Sequence, residues 1–183
     1  MAFLSETRFT PKFYGLLPDP TDPRNLLIAM EMIGSGMTLR KKIEENTPTE
    51  RQKLSISLRL SIGLHTIHDK NVLLNDQKDD NVIVYSLNGT VFQAKFIDFG
   101  HASCGFEKRY GGNATTNARC THLAPEVRAG EPTKASSDVY SLGFVMALFR
   151  IDKLANIVSQ CMGHEPGQRP CLPIVVRNLM DLM

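Results

Sequence analysis

No stretch of this 183-residue sequence is apolar for long enough to cross a bilayer, and residues 1–10 lack the apolar segment of a secretory signal. Charge of one sign is also missing. The 21 lysines and arginines nearly balance 19 aspartates and glutamates, and a formal net charge of +2 is too mild to imply a nucleic-acid partner or an anionic membrane. Cysteine is sparse, and Cys104, Cys120, Cys161 and Cys171 include no C-x-x-C pair, so neither a zinc site nor a redox pair is indicated. These absences imply reduced thiols in a cytoplasmic protein, in which the sequons Asn88-Gly89-Thr90 and Asn113-Ala114-Thr115 arise by chance. What is present is a 42% apolar chain, enough to bury the core of one domain.

Lys12–Leu17 and Asn25–Ile33 are short apolar runs separated by the Pro/Asp-rich stretch Pro18–Arg24, which reads as two strands and a turn. Gly34-Ser35-Gly36 breaks that pattern, and a charged helix is expected from Thr38 to about Asn46. A second helix should start at Thr47, with Pro48 in the first position and Glu50 closing a capping box, and run to about Asp69. Its apolar residues lie on more than one face, which implies burial. His65 and His68 lie near one another on it; no third ligand follows at metal-site spacing, so a polar pair is the better reading.

Val72-Leu73-Leu74 reads as a short strand, and Asn88-Gly89 between Val82–Leu87 and Thr90–Ile97 signals a tight hairpin. That hairpin would carry Asn81 at its start and Asp98 at its end, bringing two oxygen-bearing side chains to one edge. Ser103–Cys120 has no period and reads as a loop. Ser136-Ser137-Asp138 should cap the buried helix Val139–Phe149, and two amphipathic helices follow, around Leu154–Cys161 and Leu172–Met183.

Three motifs occur in order: Asp76-Gln77-Lys78-Asp79-Asp80-Asn81, Asp98-Phe99-Gly100 and Ala124-Pro125-Glu126. Their order and spacing resemble the catalytic core of a protein kinase, H-R-D-x-K-x-x-N, D-F-G and A-P-E. The resemblance implies an α+β kinase-like fold, with a remnant of the small lobe and the hinge over residues 1–36 and a mainly helical large lobe over 37–183. It implies Asp76 as the group that accepts the substrate hydroxyl proton, Lys78 as the cation that neutralises charge on the γ-phosphoryl, and Asn81 and Asp98 as Mg²⁺ ligands. Met30 would stand at the gatekeeper position, with Glu31, Met32 and Ile33 as the hinge offering backbone groups to ATP. Asp138 would anchor the catalytic loop, and Arg169 would pair with Glu126. Lysine two residues after Asp76 is of serine/threonine type.

The departures from the family pattern are equally specific. Leu74-Asn75 replaces His-Arg, so the arginine that receives an activation-loop phosphate is absent, and no phosphate switch of the usual kind is expected at Thr115 or Thr116. Arg119–Leu123 departs from the usual substrate-binding pattern, and Phe149 leads almost directly into the Leu154 helix. The sequence contains no G-x-G-x-x-G, no V-A-I-K lysine and no helix carrying its glutamate. Two readings stand side by side: a serine/threonine-type kinase impaired as an isolated chain, with weak ATP and Mg²⁺ binding, and a pseudokinase or half-kinase acting as a binding module. A small-molecule phosphotransferase of related fold fits the Ala124-Pro125-Glu126 and Arg169 pattern less well. The expected partner is a protein, either a substrate, another kinase or a second copy that covers the apolar residues of Met1–Ile33, which would otherwise fray.

Overall fold

A computed structural model describes residues 4–45, 48–86, 92–105, 107–109 and 119–183. Strands β1 (Phe13–Pro18) and β2 (Leu26–Met30) pair antiparallel, from Phe13 opposite Met30 to Pro18 opposite Leu26. Aspartates make the turn between them: Asp19 Oδ1 accepts the Thr21 N–H at 2.8 Å and Asp22 Oδ1 accepts the Arg24 N–H at 3.1 Å. Gly34 and Gly36 both have positive φ, +51° and +72°, and a side chain on Gly34 would strike the Tyr85 Cβ at 2.9 Å. The chain therefore turns sharply into α1 (Leu39–Glu44), which starts one residue after the expected Thr38, with Thr38 as its cap.

Helix α2 (Glu50–His68) starts two residues later than the sequence suggests. Thr49 Oγ1 accepts the Gln52 N–H and Gln52 Oε1 accepts the Thr49 N–H, so the reciprocal box closes on Thr49 and Gln52. Pro48 lies buried ahead of the helix, and Thr47 is outside the described residues. Leu54, Ile56, Leu60, Leu64 and Ile67 of α2 form the centre of the main core.

Strand β3 (Val72–Leu73) pairs with β6 (Ser103–Cys104), a strand that the aperiodic sequence after Asp98 did not announce. Strands β4 (Val82–Ser86) and β5 (Phe92–Phe96) form the expected hairpin, but Ser86 faces Phe92, whereas a two-residue turn at Asn88-Gly89 would set it opposite Val91. The Asn88-Gly89 turn itself, both sequons' central residues, and Thr115 and Thr116 lie outside the described residues.

From Pro125 onward the described residues form four α-helices: α3 (Pro125–Arg128), α4 (Ala135–Ala147), α5 (Ala155–Cys161) and α6 (Leu172–Met180). Helix α4 begins one turn earlier than expected, because Ser137 Oγ accepts the Lys134 N–H at 3.1 Å and so closes the first turn from inside. Asp138 is thereby a first-turn residue, not a cap, and its carboxylate is free to bond elsewhere. Gly143 lets α4 and α5 meet, since a Cβ there would lie 2.7 Å from the Cβ of Cys161. Among the described residues no helix is long and apolar enough to cross a membrane.

The N-terminal segment divides in two. Leu4 is only 2% exposed in the main core, the Phe9 carbonyl accepts the Phe96 N–H at 2.8 Å, and the Phe9 ring packs where Gly63 leaves room. The expectation of fraying thus does not extend to residues 4–12. Beyond them, Tyr14, Leu16, Leu17, Leu26, Leu27 and Ile28 are all more than 40% exposed, so both faces of the β1–β2 hairpin are open.

Candidate active site

The β4–β5 register explains how distant residues meet. Val82 opposite Phe96 puts the residue before β4 beside the residue after β5, and the Ile97 N–H donates to the Asn81 carbonyl at 2.9 Å. Asn81 and Asp98 therefore leave the same end of one hairpin. Asp79, Asp80 and Asn81 form a single 3₁₀ turn, fastened from α1 by Arg40, which contacts Asp79 at 3.2 Å and Asp80 at 2.7 Å.

Asp76, Lys78 and Asn81 form one cluster. Lys78 Nζ donates to Asp76 Oδ2 at 2.7 Å, and Asn81 Nδ2 donates to the same oxygen at 3.1 Å and to the Asp76 carbonyl at 2.8 Å. His122 Nε2 donates to Asp76 Oδ1 at 2.8 Å. Burial pushes the Asp76 carboxyl up, but hydrogen bonds from His122 and Lys78, and the Lys78 charge, more than reverse this and hold it at about 2. It is ionised throughout the physiological range. Asp98 stands exposed at φ +60°, with Oδ1 accepting the Gly100 N–H at 3.1 Å.

The loop carrying Asp76 is anchored from below by α4. Asp138, only 1% exposed, accepts the N–H of Leu74 and of Asn75, each at 2.8 Å, and contacts His68 Nε2 at 2.9 Å. His68 and His65 therefore have separate carboxylate partners, Asp138 and Asp69, and no metal-binding cluster of three occurs among the described residues. Asn75 is buried at φ +65°, a conformation that asparagine tolerates better than most residues, and Nδ2 reaches the His101 carbonyl at 2.9 Å and Ser103 Oγ at 3.0 Å. It ties the segment after Asp98-Phe99-Gly100 to the loop with a neutral amide.

Glu126 and Arg169 form a bidentate pair, 2.7 Å on both arms, and the guanidinium has no exposed surface. Its remaining N–H groups reach the carbonyls of Gly163, Ser136 and His164, so all five are used. Burial raises the Glu126 pKa, but the Arg169 and Ser137 bonds outweigh it, leaving it below the usual glutamate value.

The Met30–Ile33 stretch is joined to this site through β5: Glu31 Oε2 accepts from Lys95 Nζ at 2.6 Å, which holds its carboxyl below the usual range. The side chains of Met30 and Met32 are exposed and that of Ile33 is buried. The Glu31 N–H donates to the Lys12 carbonyl, and the Ile33 carbonyl accepts from Gly36. Sequence reasoning missed Lys95 and His122, and it noted His68 without its contact to Asp138. Only His122 carried a usable signal, as a titratable side chain two residues before Ala124.

Comparison with known proteins bears on the same residues. The model of the protein kinase domain matches residues 11–172. A probable serine/threonine-protein kinase of Dictyostelium discoideum is 26% identical over 163 residues, covering 71% of this chain and 31% of that protein. Smooth-muscle myosin light chain kinase of Gallus gallus is 28% identical over 140 residues, covering 74% of this chain and 7% of the kinase. The human serine/threonine-protein kinase Nek5 is 34% identical over 129 residues, 66% of this chain and 17% of its own. The chain spans less than a third of the length of these relatives.

Proposed function

The chain belongs to the protein kinase family, and on that footing we propose that it carries the phosphoryl-transfer site of a serine/threonine-type kinase, with low activity as an isolated chain. We assign residues 1–36 to small lobe and hinge and 37–183 to the large lobe. The observation that carries this is the Asp76–Lys78–Asn81 cluster, joined through Ile97 to the start of Asp98-Phe99-Gly100.

In this reading the oxygen of a serine or threonine hydroxyl bonds to the γ-phosphorus of ATP while the bond to the β,γ-bridging oxygen breaks. The electron pair leaves on ADP, and the hydroxyl proton passes to Asp76. A carboxylate held at about 2 is a weak base, which suits a loose transition state where positioning and charge stabilisation matter more than early proton removal. Lys78 lies beside Asp76 and would turn its ammonium to the γ-phosphoryl when nucleotide enters. The Met30–Ile33 backbone would meet the adenine.

Asn81 and Asp98 fit Mg²⁺. Both Asn81 bonds from its side chain are donated by Nδ2, which leaves its amide oxygen to serve as a ligand, and Asp98 adds an exposed carboxylate. Few carboxylates with substrate phosphate oxygens is the donor set this ion takes. When bound, it supplies charge neutralisation on the phosphates.

These 183 residues contain neither the phosphate-covering glycine loop nor the lysine that pairs the phosphates. One aimed donor is worth about 3 kcal/mol, so without both a typical turnover of 1–100 s⁻¹ would fall to about 10⁻² s⁻¹ or below. Incubation with Mg·[γ-³²P]ATP and separate serine-, threonine- and tyrosine-acceptor peptides tests this. Slow labelling of the first two, abolished by Asp76→Asn, is expected; labelling unaffected by Asp76→Asn overturns the assignment.

The exposed β1–β2 hairpin favours a second reading, a half-kinase that acts by docking its hairpin against a second copy or another kinase's small lobe. In that case sedimentation would show a dimer or a stable complex, and the chain would bind without transferring phosphate.

A further inference from the structure

We infer that His122 is a positioning residue for Asp76, an inference that rests on the phosphoryl-transfer reading above. Lys78 and Asn81 both donate to Oδ2 of Asp76, so these two leave the other oxygen unrestrained. His122 Nε2–H donates to Oδ1 at 2.8 Å and stops the carboxylate from turning. An ionised carboxylate has about four acceptor positions. With three donors in place, the remaining position on Oδ1 is the one open to a substrate hydroxyl.

The placement of His122 is itself enforced. Its carbonyl accepts from Ser141 Oγ at 2.7 Å, and its ring stands edge-on to Phe144, with centroids 6.2 Å apart. Its side chain is 13% exposed. Ser141 and Phe144 lie on α4, and Asp138, three residues before Ser141, holds the Leu74 and Asn75 N–H groups from the same helix. Helix α4 thus registers the Asp76 loop and the segment ahead of Ala124-Pro125-Glu126 against each other. His122 closes that arrangement at the reacting oxygen. At the ring stands the Asp76 carboxylate, with Lys78 on its other oxygen.

Long-range ¹H–¹⁵N spectra of the histidine-labelled full chain test the contact. The His122 signal should show a fixed Nε2–H tautomer that becomes exchange-averaged in Asp76→Ala. In transfer assays, His122→Phe should lose about a hundredfold or more in kcat, the cost of one aimed donor, with the KM for ATP unchanged. His122→Gln, which keeps an N–H donor, should recover most of the loss. A His122→Phe chain as active as wild type, or a tautomer unmoved by Asp76→Ala, overturns the inference. If the wild-type chain transfers no phosphate, the proposed function fails and the tautomer measurement alone decides whether His122 fixes Asp76; it also decides alone if His122→Phe does not fold.

Discussion

Strand β2 and helix α4 are both apolar nearly all round, yet they have opposite surroundings. Leu26, Leu27, Ile28 and Met30 of β2 are 40–62% exposed, whereas Val139, Leu142, Val145 and Met146 of α4 are 0–4% exposed. An apolar sequence states a demand for burial and does not say who meets it. For α4 the chain itself does, with α2, α5 and the Asp76 loop around it. Among the described residues β2 pairs with β1 alone, and a lone two-stranded hairpin is marginal in water. The candidate site is attached to α4. Asp138 and Ser141 fasten the Asp76 loop and His122 to α4, while the hairpin touches the site through Glu31 and Lys95.

The largest expected effect comes from cutting the buried pair under α4. Arg169→Met leaves the Glu126 carboxylate buried without its partner and should cost about 3–5 kcal/mol in denaturant unfolding. The pH dependence has a definite sign. Glu126 binds its proton less readily folded than unfolded, so its contribution is present above the ordinary value of 4.5 and is lost as pH falls below it through the folded pKa. Acid unfolding should be shallower in Glu126→Gln; an unchanged acid limb would show that the pair does not set it.

Asp138→Ala removes the acceptor of two backbone N–H groups and should cost about 3 kcal/mol, with hydrogen-exchange protection lost first at Leu74 and Asn75. Retained protection there would mean that the loop is held by something other than α4. Gly63→Ala acts on the boundary between the two regions. The new Cβ would lie 2.9 Å from the Phe9 ring and 3.0 Å from its Cβ, which cannot swing away. Overpacking of about 1–3 kcal/mol is partly offset by about 1 kcal/mol of helix propensity. Residues 4–12 should become protease-sensitive while α4 stays protected. Smallest of all, Leu27→Lys should change the unfolding free energy by less than about 0.5 kcal/mol and abolish any self-association seen by sedimentation. A large loss of stability would place the hairpin inside the cooperative body.

Much of this division could be read from the residues alone. Strands β1 to β5, α2 and α4 follow from periodicity and turn signals, and the meeting of Asn81 and Asp98 at one hairpin end follows from their spacing. What the sequence could not supply were contacts whose partners are far apart in the chain. Leu4 and Phe9 read as an undistinguished N-terminus, because Leu4 is buried by the main core and the Phe9 ring fills a gap left by Gly63, more than 50 residues away. Strand β6 has two residues and no period to detect; its register comes from β3 and the Asn75 amide. Thr47 was the obvious cap, but Thr49-x-x-Gln52 offers the same box two residues on. His122 was visible as a departure from the family pattern, but its contact with Asp76 required the fold.

Nucleotide binding by the body of the chain is the central expectation, and titration calorimetry with Mg·ATP measures it. Weak binding that disappears when Mg²⁺ is chelated and falls sharply in Asp98→Asn is the predicted result. Tight binding without metal, or binding indifferent to Asp98→Asn, would contradict it.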